Sequence, residues 1–254
     1  MQKYMGRTDL ALEIQEKFTR DKVEISGVEL EKWERNEGRI RISKVTIRTS
    51  HGARVMEKPI GRYSTIEFVQ NEGVDMVVTE ELREMLSKTP TDGPFLVLGL
   101  GNRRAVADAL GSRVVDDIII TRHRKLDEAG GICAIAPGVT SQTGMEALEI
   151  IQALVHKIQP ECVLVIDSLA AQSHTRLCHS IQITDSGICP GSGVGEHKSA
   201  IDAKTLGVPV LAIGVPTVME IYPGQYVTPK DIDFEMIGLS HCLVQAIEDA
   251  ILEA

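Results

Sequence analysis

No run of this 254-residue chain approaches the length of a membrane-spanning helix, and its first residues, Met1-Gln-Lys-Tyr-Met-Gly-Arg7, lack the apolar core of a secretion signal. A basic excess is missing too. The 27 Lys and Arg face 36 Asp and Glu, a formal net charge of -9, which argues against a general binder of nucleic acid or other polyanions. Cysteines at 133, 162, 178, 189 and 242 make an odd count without a Cys-x-x-Cys pair, so buried reduced thiols are expected rather than a disulfide framework. His174 and Cys178, with His179 and Cys189 nearby, fit no standard zinc spacing. Ser168, Ser173 and Ser192 lack a Gly-x-Ser-x-Gly elbow, which disfavours a serine hydrolase. Gly-rich loops are present, but none ends in Gly-Lys-Ser/Thr, which weighs against nucleotide hydrolysis. No internal repeat or low-complexity tract is visible.

What is there is ordinary globular material, 43% hydrophobic and 25% charged, enough for one large α/β domain or a domain with an appendage. Residues 1–90 are charged and irregular. Within them, alternation over Arg39–Arg48 predicts a half-exposed strand, Arg62–Phe68 another, and Thr79–Lys88 a helix stopped before Pro90. From Phe95 onward apolar runs predict strands at Phe95–Leu100, Val114–Ile120, Ile132–Ala136, Cys162–Ile166, Ser180–Ile183 and Val208–Val215. Helical patterns intervene at Ala105–Gly111, Gly144–Lys157, Glu196–Leu206 and Asp231–Leu252, and Met145, Leu148, Ile151, Gln152 and Val155 form a stripe to lay on the sheet. Such alternation implies a largely parallel sheet covered on both faces.

Ligands of parallel α/β sheets bind outside the carboxyl ends of the strands, so acids there are informative. Asp167 closes the run Glu161-Cys-Val-Leu-Val-Ile-Asp167, and Asp108 follows Phe95–Asn102 by a short turn. A helix-dipole partner or a cap would explain either one alone. Together they resemble a carboxylate pair, able to activate water on a peptide carbonyl or to hold a divalent metal that does so. Three Gly-bearing strand-end loops, 99–102, 136–144 and 185–195, share the expected rim, where exposed backbone N–H groups can cradle an anion or a peptide carbonyl. Gly138, Thr140, Gly191, Ser192 and Gly193 are the substrate-binding candidates of the last two loops. His123 trails the expected Val114–Ile120 strand, as a rim residue for proton transfer or a structural histidine. Arg103, Arg104, Arg122 and Arg176 are the suppliers of charge in a rival reading, a phosphate-binding, phosphorylase-like enzyme.

A set of longer stretches then occurs in one order. These are Arg7-Thr-Asp-Leu-Ala-Leu-Glu13, Gly61-Arg-Tyr-Ser-Thr-Ile-Glu67, Gly99-Leu-Gly-Asn102 with Asp108-Ala-Leu-Gly111, and Thr121-Arg-His123. They continue with Ala134-Ile-Ala-Pro-Gly-Val139, Thr143-Gly-Met-Glu146, Ile166-Asp-Ser-Leu-Ala-Ala171, Thr184-Asp-Ser-Gly187, Pro190-Gly-Ser-Gly-Val-Gly195, Leu206-Gly-Val-Pro-Val210 and Ala212-Ile-Gly-Val-Pro-Thr217. Over nearly the whole chain this closely resembles the germination proteases, spore endopeptidases that degrade small acid-soluble spore proteins.

The resemblance implies a three-layer α/β/α sandwich with a mostly parallel sheet, similar to the core of hydrogenase maturation endopeptidases, plus an N-terminal β-rich appendage. It puts the catalytic aspartates on Asp108 and Asp167, as an aspartic-type pair without a cofactor. A divalent metal at the pair is the alternative, as in a metal-dependent maturation-type peptidase acting on another protein. It implies a zymogen cut between Asp9 and Leu10, hence residues 1–9 as propeptide, 10–90 as appendage and 91–254 as catalytic core. By the same resemblance the protein is a homotetramer of the spore-core cytoplasm whose partners are small acid-soluble spore proteins, with no direct nucleic acid and no membrane. The head, about nine residues and flexible by expectation, reads as the unprocessed form, and the chain stops at the helix Asp231–Leu252 where many relatives continue.

Overall fold

The apolar runs of the C-terminal part form one sheet, and the charged N-terminal third continues it. The computed structural model describes residues 6–87, 89, 93–124, 131–192 and 199–252. In chain order the elements are α1 (Ala11–Arg20), β1 (Val28–Arg35), β2 (Ile40–Ile47), α2 (Ser50–Met56), β3 (Gly61–Phe68), α3 (Val74–Leu86), β4 (Phe95–Gly99), α4 (Leu110–Asp117) and β5 (Ile132–Ile135). There follow α5 (Thr140–Thr143), α6 (Ala147–Ile158), β6 (Cys162–Ala171), β7 (Ser180–Thr184), α7 (Ala203–Leu206), β8 (Val210–Tyr222), β9 (Gln225–Val227) and α8 (Ile232–Leu252). Among the described residues the sheet has nine strands in the order β1-β2-β3-β7-β8-β6-β4-β5, with β9 hairpinned onto β8. The block β5-β4-β6-β8 is parallel, as the strand–helix alternation predicts. Antiparallel pairings of β7 with β8, β3 with β7, and β1 to β3 in turn extend it.

Alternation along each central strand makes the layers. Phe95, Val97, Leu164, Ile166, Leu211 and Ile213 pack with apolar residues of α3, α4 and α8. Leu96, Leu98, Val163, Val165, Val210 and Ala212 turn the other way, toward Ile151 and Val155 of α6 and Leu206 of α7. Each fully buried side chain of this kind contributes about 1.5–3 kcal/mol. A third cluster seats α1 and α2 on β2 and β3 through Ala11, Met56, Val45, Ile47 and Tyr63. The result is a mixed α/β fold of three layers.

Several expectations give way. Residues 114–120 are not a strand. Leu110, Val114 and Ile118 are buried at four-residue spacing while Asp116, Asp117 and Ile119 face water, so the segment is α4 and its exit. The helix expected at Ala105–Gly111 is a 3-10 turn at Val106–Asp108. Of the helix expected over Glu196–Leu206, only α7 forms within the described residues. In α6, Ile151 and Val155 carry the apolar stripe, whereas Met145 precedes the helix exposed and Gln152 faces water. The head is not a loose terminus from Gly6 on: Leu10, Ala11 and Leu12 are wholly buried, and α1 begins at once. Cys162, Cys178 and Cys242 are buried, their thiols pushed up to about 12 by desolvation, while Cys133 is half-buried and Cys189 exposed.

Candidate active site

Asp167 does not end its strand. β6 runs four residues further, but the neighbour that stops is β4, whose ladder with β6 ends at Gly99 opposite Ile166. The Leu100 N–H closes that ladder on the Ile166 carbonyl at 2.8 Å. Past this point β6 is paired by β8 alone, and Asp167 is the first residue of the half-open stretch. A cleft of about 590 Å³ opens there, with Asp108 and Asp167 both in its lining.

Several neighbours hold Asp108. Its 3-10 turn closes through the Asp108 N–H on the Ala105 carbonyl at 2.8 Å, and the Asn102 N–H donates to Asp108 Oδ2 at 2.8 Å. Gly101 has φ +98°, and a Cβ there would lie 2.0 Å from the Asp108 carbonyl oxygen, so only glycine fits. From below, the fully buried Thr217 donates to the Ala107 carbonyl at 2.6 Å, and Thr228 in turn donates to the Thr217 carbonyl. Thr217 is not among the sequence candidates, because a threonine after Val-Pro in a strand carries no signal of its own.

All three Gly-bearing loops reach the cleft. Gly101 and Asn102 come from the first, Gly138, Val139, Thr140 and Ser141 from the second, and Cys189, Pro190 and Gly191 from the third. Gln142 donates from the second loop to Asn102 Oδ1 at 2.7 Å, and Ser199 donates to Glu146 at 3.2 Å. Ser192 lines an adjoining recess of about 170 Å³, with Lys58, Tyr63, Gln182 and Ser186. Burial holds the Lys58 ammonium below its usual range against the opposing charge of Asp9, and pushes the Tyr63 hydroxyl up to about 12. Gly193 lies outside the described residues.

The head fills part of this cleft. Asp9 lines both cavities; its N–H donates to the Ala170 carbonyl at 2.9 Å, its Oδ2 accepts the Ala170 N–H at 2.9 Å, and its Oδ1 accepts from Ser192 at 2.7 Å. Gln182, buried on β7, straddles the next bond: Oε1 takes the Ala11 N–H at 2.8 Å and Nε2 gives to the Asp9 carbonyl at 3.3 Å. Because the Ala11 N–H can only donate, it fixes which way this amide faces. Leu10 plugs a pocket of Leu169, Ala171 and Leu177.

His123 is exposed on the turn Arg122–Arg124 and is absent from the cleft lining. The reason is the lost strand: Thr121 and Arg122 pack beside Gly131 and Ile132, at the entry of β5, the end of the parallel block opposite Asp167. Nor does any of Arg103, Arg104, Arg122 and Arg176 line the cleft; Arg103 pairs with Asp116, and Arg176 with Glu13, Glu16 and Glu67. The pair itself supplies two carboxylates, and among the described residues no three of His, Cys, Asp and Glu are grouped to hold a metal ion. No helix among those residues is long and apolar enough to cross a membrane.

A three-layer α/β protein, with a cleft at the carboxyl ends of its parallel strands and Asp108 and Asp167 among the lining residues, has the build of an α/β protein that works on its ligand at that rim. A family model described as germination protease matches residues 5–236. A germination protease of Clostridium perfringens strain 13 is 43% identical over 233 residues, spanning 85% of this chain and 71% of the relative. One from Priestia megaterium is 38% identical over 257 residues, 92% of this chain and 68% of its own. Among solved structures, the [NiFe] hydrogenase maturation protease HycI from Thermococcus kodakarensis KOD1 superposes with TM-score 0.41 at 15% identity, over 66% of this chain and 99% of that one. The chain belongs to the germination protease family and is therefore a peptidase.

Proposed function

We propose that the protein is an endopeptidase of the spore-core cytoplasm that begins the degradation of small acid-soluble spore proteins, using Asp108 and Asp167 as an aspartic-type pair. The observation that carries this reading is that both acids line one cleft in which a stretch of the chain's own backbone already lies. Where two carboxylates stand close enough to share one proton, one acts as base and the other as acid. The ionised partner takes a proton from water as its oxygen bonds to the peptide carbonyl carbon. The protonated partner then gives its proton to the amide nitrogen as the C–N bond breaks. Backbone N–H groups of the loops at Gly138–Thr140 and Gly191 are suited to stabilise the oxyanion between those steps.

The same reading makes the protein a zymogen that processes itself between Asp9 and Leu10. In the present arrangement Asp9 pairs with Ala170, three residues past Asp167, or about 10 Å along a strand at about 3.3 Å per residue. The head must therefore shift along β6, or be presented to a second molecule, before its bond meets the acids. The homotetramer is carried over from the family resemblance, and sedimentation velocity tests it.

Asp108→Asn and Asp167→Asn, each shown by circular dichroism to be folded, are expected to lower cleavage of a small acid-soluble spore protein by about 10²–10⁴-fold. Wild-type rates in either variant would overturn the assignment. Cleavage is expected to persist with a chelator present, and mass mapping of the products and of the protein's own N-terminus reports the cut sites in the same experiment.

A further inference from the structure

Backbone groups of a strand alternate between its two edges with period two. Ile166 gives its carbonyl to Leu100 of the β4 side, so Ser168 and Ala170 aim their N–H and C=O groups at that same edge. There β4 has already ended, and the edge forms a wall of the cleft. An open ladder edge is a template for another extended segment. Here one is seated on it: Asp9 makes one ladder bond to the Ala170 carbonyl and covers the Ala170 N–H with its carboxylate. Gly6 continues the track under the Gln172 side chain, and Arg7 gives its N–H to Glu220 at 3.2 Å. One step nearer the acids, the Ser168 N–H turns back onto its neighbour Asp167 at 2.9 Å, and the buried Ser168 hydroxyl has no hydrogen-bond partner among the described residues. That N–H is thus covered from within β6 rather than by a paired backbone.

We propose that the edge of β6 from Ser168 to Ala170 receives the substrate polypeptide as an added strand, along the track now held by residues 6–9. The inference rests on the peptidase reading above and adds how the substrate is held. Main-chain hydrogen bonds in register with β6 carry it, so the partner is an extended, unfolded segment rather than a folded domain. A chain that pairs at Ser168 as well as Ala170 extends one ladder step, about 7 Å, beyond the point where Asp9 stops, which brings its backbone to Asp167.

The test uses the full-length chain carrying Asp9→Pro, which removes both the N–H given to Ala170 and the carboxylate that covers it. The probe is a synthetic peptide with the sequence of residues 6–13, unmodified or N-methylated at a single backbone nitrogen. Binding to Asp9→Pro is expected to be about tenfold tighter than to the wild-type chain. Methylation at the peptide's Asp or Arg nitrogen, which share one edge, is expected to weaken binding about tenfold, and methylation at the intervening Thr about twofold or less. Ala170→Pro added to Asp9→Pro is expected to abolish binding. Equal losses at all three nitrogens, or no binding by either chain, would overturn the proposal. Cleavage of the peptide without that periodicity would leave the peptidase reading standing and sink the strand-edge one; periodic binding with no cleavage would do the reverse. If Asp9→Pro fails to fold by near-ultraviolet dichroism, Asp9→Ala, which loses the carboxylate bonds to Ala170 and Ser192, is expected to tighten binding in the same direction.

Discussion

Asp108 is held by neighbours whose own chemistry is unremarkable in the sequence. Gly101 leaves room for the Asp108 carbonyl, Asn102 gives the N–H that fixes one carboxylate oxygen, and Thr217 props the preceding residue. Gly101→Ala places a methyl where that carbonyl stands and forces a β-carbon into a left-handed backbone, at a strain of about 1–3 kcal/mol. Its expected result is a folded protein with a lower thermal midpoint and a large fall in kcat for peptide cleavage; a variant with unchanged kcat would show that Asp108 does not need this turn. Thr217→Val leaves the Ala107 carbonyl without its donor, at a cost of about 1–3 kcal/mol read by chemical denaturation. The two acids were legible in the sequence because a charge beside a long apolar run is costly and therefore informative. Thr217 and Gln182 were not, since their roles depend on bonds to residues 110 and 171 positions away.

At the scale of elements, α1 is the part the sequence concealed. Residues 10–13, at and just before its start, read as one side of a processing site, and in the structure Leu10 and Leu12 are core and Glu13 is 3% exposed. Glu13 accepts the N–H groups of Gln172 and Ser173 and the Thr8 hydroxyl, tying helix and head to the end of β6. Arg176, 8% exposed, bridges Glu13, Glu16 and Glu67, and so joins α1 to β3. Burial alone would lower its pKa; the hydrogen bond to Glu16 and the charge of Glu67 raise it instead. Arg176→Ala strands three carboxylates and is expected to destabilise the protein by about 3–5 kcal/mol in urea unfolding. For Glu16, burial would raise the carboxyl pKa, but Arg176 outweighs it and holds it below the ordinary 4.5. A depressed acid contributes stability in full above about 4.5 and loses it as pH falls through the lowered value. Glu16→Gln is therefore expected to flatten the acid limb of a plot of melting temperature against pH, with little change in its slope near neutrality.

For the whole molecule, β3 joins the N-terminal third to the rest by pairing with β7 from Tyr63 to Glu67. Ile66 and Phe68 share a core with Ile181 and Leu243. A single calorimetric transition is expected for the full chain, and a fragment of residues 93–254 is expected to aggregate, since it would bare the β7 edge and that apolar face. Two resolved transitions would instead make residues 10–90 and the remainder independent units.

Local pattern alone marks the strands of the parallel block, the rim position of Asp108 and Asp167 and the three glycine loops, because burial, alternation and turn chemistry are legible within a few residues. It misread residues 114–120, where three consecutive isoleucines have strand propensity but the four-residue spacing of Leu110, Val114 and Ile118 faces the core. That β6 outruns β4, that His123 stands at the far end of the block, and that the head lies on the open edge beside Asp167 emerge only once the sheet is assembled. Those facts depend on where one strand stops relative to its neighbour, and no residue carries that information before the sheet is assembled.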